Sequence, residues 1–173
     1  QAVSRCRRLV GERLNLRRPQ GAVCLLSDLG NLNLQVQADS EETRRRVLRQ
    51  TRLLADCDYP VIERLAAASH IERAQEGEVI SLRGQQSTHF FVVTSGLVEL
   101  SILTHDGKRH INNWISQGES YGLISALNFG PLIHTATAVK GSSVLKVPSV
   151  ALRDALLAFP AFAMVVIGLI SDH

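Results

Sequence analysis

Six glycines divide the central part of this sequence into short stretches of β-branched and aromatic residues. Several stand in turn signals such as Glu76-Gly77-Glu78 and Asp106-Gly107. Tight hairpins and bulges need a positive φ angle, which glycine adopts without steric cost. The series consists of Gly77, Gly84, Gly96, Gly107, Gly118 and Gly122. It predicts a small antiparallel barrel or sandwich.

Residues 70–148 follow a period of two, which is typical of strands with one buried face. In Leu97–Leu103, for example, Val98, Leu100 and Ile102 share one face, while polar residues occupy the other. Strands are predicted at residues 71–73, 78–82, 89–94, 97–103, 109–115, 134–139 and 143–147. So many short strands between turns favour a mainly β fold, an antiparallel β-roll or jelly-roll barrel with flanking helices.

The flanking helices are predicted from caps and prolines. Asp39 and Glu42 form a sequence like a capping box and open a helix over residues 39–55, whose arginines are expected to face solvent. Pro60 begins a second helix, which runs to residue 68. After the last strand, Ser149 is expected to cap a helix and Pro160 to open another, within residues 149–172.

The first 38 residues are set apart from this pattern. Residues 3–14 have the apolar spacing of an amphipathic helix, and residues 22–26 and 32–36 suggest two short strands. We therefore divide the chain into residues 1–38, an N-terminal extension or the end of an upstream domain, and residues 39–173, the β-roll with its helices.

Composition limits the cellular setting and the partners. Cys6, Cys24 and Cys57 lack paired spacing, which predicts no disulfide framework and favours the cytoplasm. Residues 1–53 hold eleven arginines against five acidic residues, a surplus that suits a solvated helical face or, as the alternative, contact with nucleic acid or anionic lipid. Pro160 interrupts the apolar segment 155–171, so that segment predicts a buried or partner-facing helix rather than a membrane span.

Catalytic and metal-binding patterns are missing from the sequence. The histidines at positions 70, 89, 105 and 110 lack the spacing of metal ligands, and no serine stands in a G-x-S-x-G elbow. No close pair of carboxylates falls in a predicted cleft. We expect neither an enzyme nor a metal site.

The ordered motifs of the β region resemble the cyclic-nucleotide-binding domain of catabolite-activator and Fnr-type regulators. The matching segments are residues 76–80, 83–84, 91–98, 106–107, 117–122 and 135–139. The resemblance covers about residues 45–173 and implies a β-roll whose ligand phosphate is held by a loop and short helix between two strands. We call the corresponding residues 121–136 the cassette.

The resemblance also names candidate binding residues and shows where this chain departs from its family. The expected ligand-binding residues are Ser120, Tyr121, Gly122, Leu123, His134, Thr135 and Ala136. Leu123 stands where nucleotide-binding members have a glutamate for the ribose, and His134 where they have an arginine for the phosphate. A neutral imidazole cannot replace the charged, forked guanidinium, so ordinary cAMP or cGMP is not the expected ligand. Another nucleotide-like molecule or a small anion stays possible.

The resemblance implies a regulatory sensor domain of a Crp/Fnr-like transcription regulator. The apolar helix near the C-terminus corresponds to the helix through which such regulators form homodimers, and DNA contact is expected only through a domain that this chain does not contain. Two alternatives remain: the regulatory domain of a channel, transporter or enzyme in the cytoplasm, and a dimerisation module without a ligand.

Overall fold

A computed structural model describes residues 39–55 and 57–171 of the chain. These residues all belong to one unit, Gln35–His173. The helix predicted at residues 3–14 and the strands predicted at 22–26 and 32–36 lie outside the described residues, as does the N-terminal segment 1–38 as a whole.

Strands and helices follow the predicted order closely. The helices are α1 (Glu41–Gln50), α2 (Tyr59–Ala68), α3 (Leu123–Asn128), α4 (Ser149–Ala158) and α5 (Pro160–Ser171). The strands are β1 (His70–Ala74), β2 (Val79–Ser81), β3 (His89–Ser95), β4 (Leu97–Leu103), β5 (Arg109–Ser116), β6 (Ser120–Tyr121), β7 (Thr135–Ala138) and β8 (Ser142–Pro148). Seven of them match predicted segments, and β6 is additional because two residues are too few to show a period.

The strands form two antiparallel four-stranded sheets. Sheet A has the order β1-β8-β3-β6, and sheet B has the order β2-β7-β4-β5. The six glycines of the sequence pattern all have φ between 78° and 84°, as the turn signals predict. The predicted mainly β architecture with flanking helices is confirmed, although the two sheets do not close into a barrel.

Strand β3 of sheet A is buried on both faces, which explains its continuous apolar run. Phe90 and Val92 belong to a cluster with the helices, which includes Leu65 of α2 and Leu152 of α4. Phe91 and Val93 point the other way, into a cluster with residues of sheet B such as Val98 and Ile115. The alternation of side chains along one strand thus builds two cores, one under the helices and one between the sheets.

Helix α1 is shorter than the predicted helix over residues 39–55, because it ends at Gln50 and turns follow it, and its start differs as well. Ser40 is the N-cap and its Oγ accepts from the Thr43 N–H at 3.1 Å. Asp39 instead accepts from the Ile71 N–H at 3.1 Å, which ties the segment before α1 to strand β1. The Asp39 carboxylate, which the local sequence pattern assigned to the helix cap, therefore bonds to a distant strand instead.

Two arginines of α1 are not the solvated side chains that the sequence predicts. Arg44 is partly buried and donates to the carbonyl of Ser69, and Arg45 is partly buried and pairs with Glu63 of α2 at 2.6 Å. Arg46 and Arg49 are exposed, as predicted.

The helix after β8 begins without the predicted side-chain cap. Pro148 is the N-cap, and Ser149 is the first helical residue, buried with its N–H donating to the Thr88 carbonyl at 2.8 Å. Phe159 then separates α4 from α5. In the described part of the chain, no single helix has the length and apolar character to cross a membrane. One pair, α4 and Pro160–Gly168, reaches that length and apolar character together, but the two helices are bent by 116° at the break between them.

Candidate functional site

The cassette connects sheet A to sheet B through a loop and a short helix. Strand β6 ends at Tyr121, Gly122 is the N-cap of α3 in the left-handed conformation, and Phe129 ends the helix in the same conformation with φ 49°. The Ser125 hydroxyl donates to the Pro131 carbonyl at 3.0 Å and holds the returning loop. The chain then enters β7 at Thr135, so the predicted loop and helix are present.

Gly122 fits where a larger residue would collide. A Cβ atom on Gly122 would lie 3.3 Å from Cδ2 of Phe91 and 3.5 Å from Cδ2 of Leu132. The Phe91 ring is stacked on Tyr121, with 4.7 Å between the ring centroids and 6° between the planes. Since both rings are buried, the start of the cassette is fixed against the core between the sheets.

A cavity of about 380 Å³ lies against the cassette, and we call it the cassette cavity. Among the predicted site residues, Ser120, Tyr121, Gly122, Leu123 and His134 line it. Much of the remaining lining is apolar and comes partly from the cassette itself and partly from distant parts of the chain. These apolar residues are Leu53, Leu100, Ile115, Ile124, Leu132, Ile133 and Ile170.

The other two predicted residues lie beside the cassette cavity in different roles. The Thr135 hydroxyl accepts from the Arg83 N–H at 3.2 Å. Ala136 is fully buried in the core between the sheets, next to Leu100 on β4. Both therefore support the position of His134 at the start of β7.

His134 is a neutral imidazole in this arrangement. Its Nε2 accepts from the Asn112 side-chain amide at 3.1 Å, which places the ring proton on Nδ1. Partial burial lowers the pKa of His134, and the nearby Arg83 guanidinium lowers it further. At neutral pH the residue thus brings no positive charge to the cavity.

Two charged residues of the cassette cavity were not singled out from the sequence. Arg52 follows α1 and is exposed, and Glu119 precedes β6. The Glu119 carboxylate accepts from the Ser116 N–H at 2.7 Å, so it closes the turn before β6. Glu119 lies within the matching segment 117–122, whereas Arg52 stands in no motif and only the folded chain brings it to this cavity.

Tyr121 has a buried hydroxyl beside that of Ser81. The two groups are near each other without the geometry of a hydrogen bond, and neither has another partner among the described residues. Burial raises the pKa of Tyr121 strongly, and the Ser81 hydroxyl lowers it to a lesser degree. Tyr121 is therefore a neutral wall of the cavity.

The described residues contain no group of three His, Cys, Asp or Glu side chains that could hold a metal ion. The cassette cavity offers an apolar body, hydroxyl and amide groups, one neutral histidine, the Glu119 carboxylate and the exposed Arg52.

Solved structures share this fold at low sequence identity. The sensor domain of the transcriptional regulator DNR from Pseudomonas aeruginosa matches with a TM-score of 0.70 and 18% identity, over 76% of this chain and 89% of that one. The catabolite activator protein of Thermus thermophilus matches with a TM-score of 0.63 and 19% identity, over 69% and 56%.

The regulatory subunit of a cAMP-independent protein kinase A from Trypanosoma brucei matches with a TM-score of 0.67 and 17% identity, over 82% of this chain and 50% of that one. The chain spans 59% and 61% of the length of two further structures, from Ruegeria pomeroyi and Silicibacter pomeroyi. No curated protein matches the sequence.

The sequence itself carries the family's pattern. The model of the family described as "Cyclic nucleotide-binding domain" matches residues 71–158, which is half of the chain and includes both sheets from Ile71 onward, the cassette and α4. This chain belongs to the cyclic nucleotide-binding domain family.

Proposed function

We propose that this chain is the non-catalytic sensor domain of a Crp/Fnr-like transcription regulator and that its ligand binds in the cassette cavity. The observation that carries this proposal is the origin of the cavity wall. Leu123 and Ile124 of the cassette, Leu53 after α1 and Ile170 of α5 all line the same cavity. A ligand there touches the β-roll and the flanking helices at once.

This shared wall supplies a mechanism for signalling. A ligand shifts the position of the helices only by the difference between its affinities for two arrangements. Because α5 contributes Ile170 to the wall, filling the cavity favours the arrangement in which α5 packs against the ligand. The movement of α5 is then transmitted to any partner that packs against α5.

The ligand that we propose is not an ordinary cyclic nucleotide. Loss of one charge-assisted hydrogen bond to a buried phosphate costs on the order of 1.5–3 kcal/mol, which is about tenfold to hundredfold in affinity. Here His134 is neutral and Leu123 cannot accept from a ribose hydroxyl. The T. brucei structure with this fold is the regulatory subunit of a protein kinase A described as cAMP-independent, which supports a ligand other than cAMP.

The proposal also covers the oligomeric state of the domain, its DNA contact and its cellular compartment. It forms a homodimer through α5, contacts DNA only through another domain of its regulator, and works in the cytoplasm. The exposed apolar residues of α5, among them Met164, support the dimer.

Calorimetric titration of the full chain with cAMP, cGMP and c-di-GMP tests the assignment of the cassette. We expect no micromolar binding by the unmodified chain. The double variant Leu123→Glu with His134→Arg restores both groups, and we expect it to gain cAMP affinity by about tenfold or more.

The matched control adds the same charges outside the cavity. Leu103 and His110 are exposed on neighbouring strands β4 and β5, so the double variant Leu103→Glu with His110→Arg should not bind cAMP. Micromolar cAMP binding by the unmodified chain would show that the two departures do not decide selectivity. An absence of gain in the cassette variant would mean that its loop geometry does not accept a nucleotide.

A further inference from the structure

A second cavity, of about 460 Å³, lies between α1 and sheet A, and we call it the α1 cavity. Its walls come from α1, from β1 and the end of β3, from the start of β8 and from the turn before β6. It shares only Gly118 with the cassette cavity. Its size falls in the range of small-molecule sites.

The charged residues that line the α1 cavity are all positive. Arg46 of α1 and Arg73 of β1 both line it, and no aspartate or glutamate does. Among the described residues neither guanidinium group makes an ion pair or a hydrogen bond, whereas those of Arg44 and Arg45 on the same helix are both paired. Two unpaired guanidinium groups at one concave surface create a positive potential that attracts an anion.

The neighbouring carboxylates do not cancel this charge. Glu72 alternates with Arg73 along β1, so it points to the opposite face, where it pairs with Lys146 at 2.6 Å. Asp39 is held by the Ile71 N–H and by Arg44. Glu72 and Asp39 are therefore already engaged by other groups.

The rest of the wall is suited to a hydroxylated molecule. Ser95 and Ser143 are cross-strand partners on β3 and β8, and their hydroxyl groups have no hydrogen bond within the described residues. The side-chain amides of Gln50 and Gln117 line the same cavity. Hydroxyl and amide groups both donate and accept, which is the chemistry that recognises the hydroxyls of a sugar or a polyol.

We propose that the α1 cavity binds a small phosphate monoester with a hydroxylated body, its phosphate held by Arg46 and Arg73. A guanidinium forks onto two phosphate oxygens, and two such groups match the double negative charge of a monoester. This site is separate from the cassette, and it does not depend on the function proposed for the cassette cavity.

The test is a titration of the full chain with glucose 6-phosphate, with glucose as the matched neutral ligand. We expect glucose 6-phosphate to bind, glucose not to bind, and the affinity to fall as ionic strength rises. Arg46→Gln and Arg73→Gln should each weaken binding about tenfold. Arg64→Gln removes the same charge from an exposed position of α2 outside the cavity, and it should leave binding unchanged.

Amide NMR spectra of the same titration locate the ligand. We expect the signals of Ser95 and Ser143 to shift and those of Leu123 and His134 to stay in place. The proposal is overturned if glucose 6-phosphate does not bind, if Arg64→Gln weakens binding as much as the cavity variants do, or if the shifts occur at the cassette instead.

Discussion

Gly122 shows how one backbone conformation sets the position of the candidate site. Its φ of 78° turns the chain from β6 into α3, and its missing side chain leaves room for the stacked rings of Phe91 and Tyr121. Both requirements fall on the same residue. The cassette therefore depends on this glycine for conformation and for packing.

We predict that Gly122→Ala lowers the free energy of unfolding by about 2 kcal/mol. About half of this comes from the left-handed conformation and the rest from the close contact with the Phe91 ring. Gly107→Ala is the matched control, because Gly107 has the same φ of 78° but open space around its Cβ position. Urea denaturation should show the larger loss for Gly122. Equal losses would mean that the Phe91 ring moves aside freely.

At the scale of elements, the helices are held by single apolar stripes. Helix α4 buries Leu152 completely in the core under sheet A, while Leu157 on the same helix is 83% exposed. The two leucines are therefore in opposite environments on one ten-residue helix. Its attachment depends on one face alone.

We predict that Leu152→Ala lowers the free energy of unfolding by about 3 kcal/mol, because it removes buried methyl groups and leaves a cavity in the core. Leu157→Ala is the same substitution at a solvent-exposed position, and it should change the free energy of unfolding by less than about 0.5 kcal/mol. Thermal or urea unfolding of the two variants measures this difference. A similar loss for both would contradict the packing of α4 described above.

The sequence predicted elements well where a local pattern decides them. Strand β4 was predicted to the residue because alternation and flanking turns are both local. The capping of α1 was not, since the Asp39 carboxylate bonds to Ile71, far away in the sequence. The burial of Arg44 was not predicted either, because its guanidinium donates to the carbonyl of Ser69, which is also far away in the sequence. Contacts that the fold creates leave no periodic signal.

At the scale of the whole molecule, the two cavities differ in how far the sequence could find them. The cassette is one continuous segment, so its motif located Leu123 and His134 in advance. Arg46 and Arg73 belong to different elements and meet at one cavity only after α1 packs on sheet A. Ile170 likewise joins the cassette cavity from the far end of the chain. Sites assembled from separate elements require the structure.

The apolar surface of α5 gives the last prediction, which concerns assembly. Met164 on this helix is 67% exposed, and Val165, Ile167 and Ile170 extend the apolar surface along α5. Complete burial of an exposed Met, Val or Ile side chain stabilises by roughly 1.5–3 kcal/mol, and burying the exposed part of each of these side chains against a second copy gains a fraction of that. We expect the chain to sediment as a dimer and Met164→Glu to sediment as a monomer, because each interface would bury two carboxylates.

Val150→Glu is the control for this substitution. Val150 is 61% exposed on α4, so the variant adds the same charge to an exposed apolar position outside α5 and should remain a dimer. Sedimentation velocity over a range of concentrations distinguishes the two species. An unmodified chain that stays monomeric, or a Met164→Glu variant that still dimerises, would remove α5 as the interface. The signal from the cassette cavity would then have to leave the domain by way of Leu53, which follows α1 and also lines that cavity.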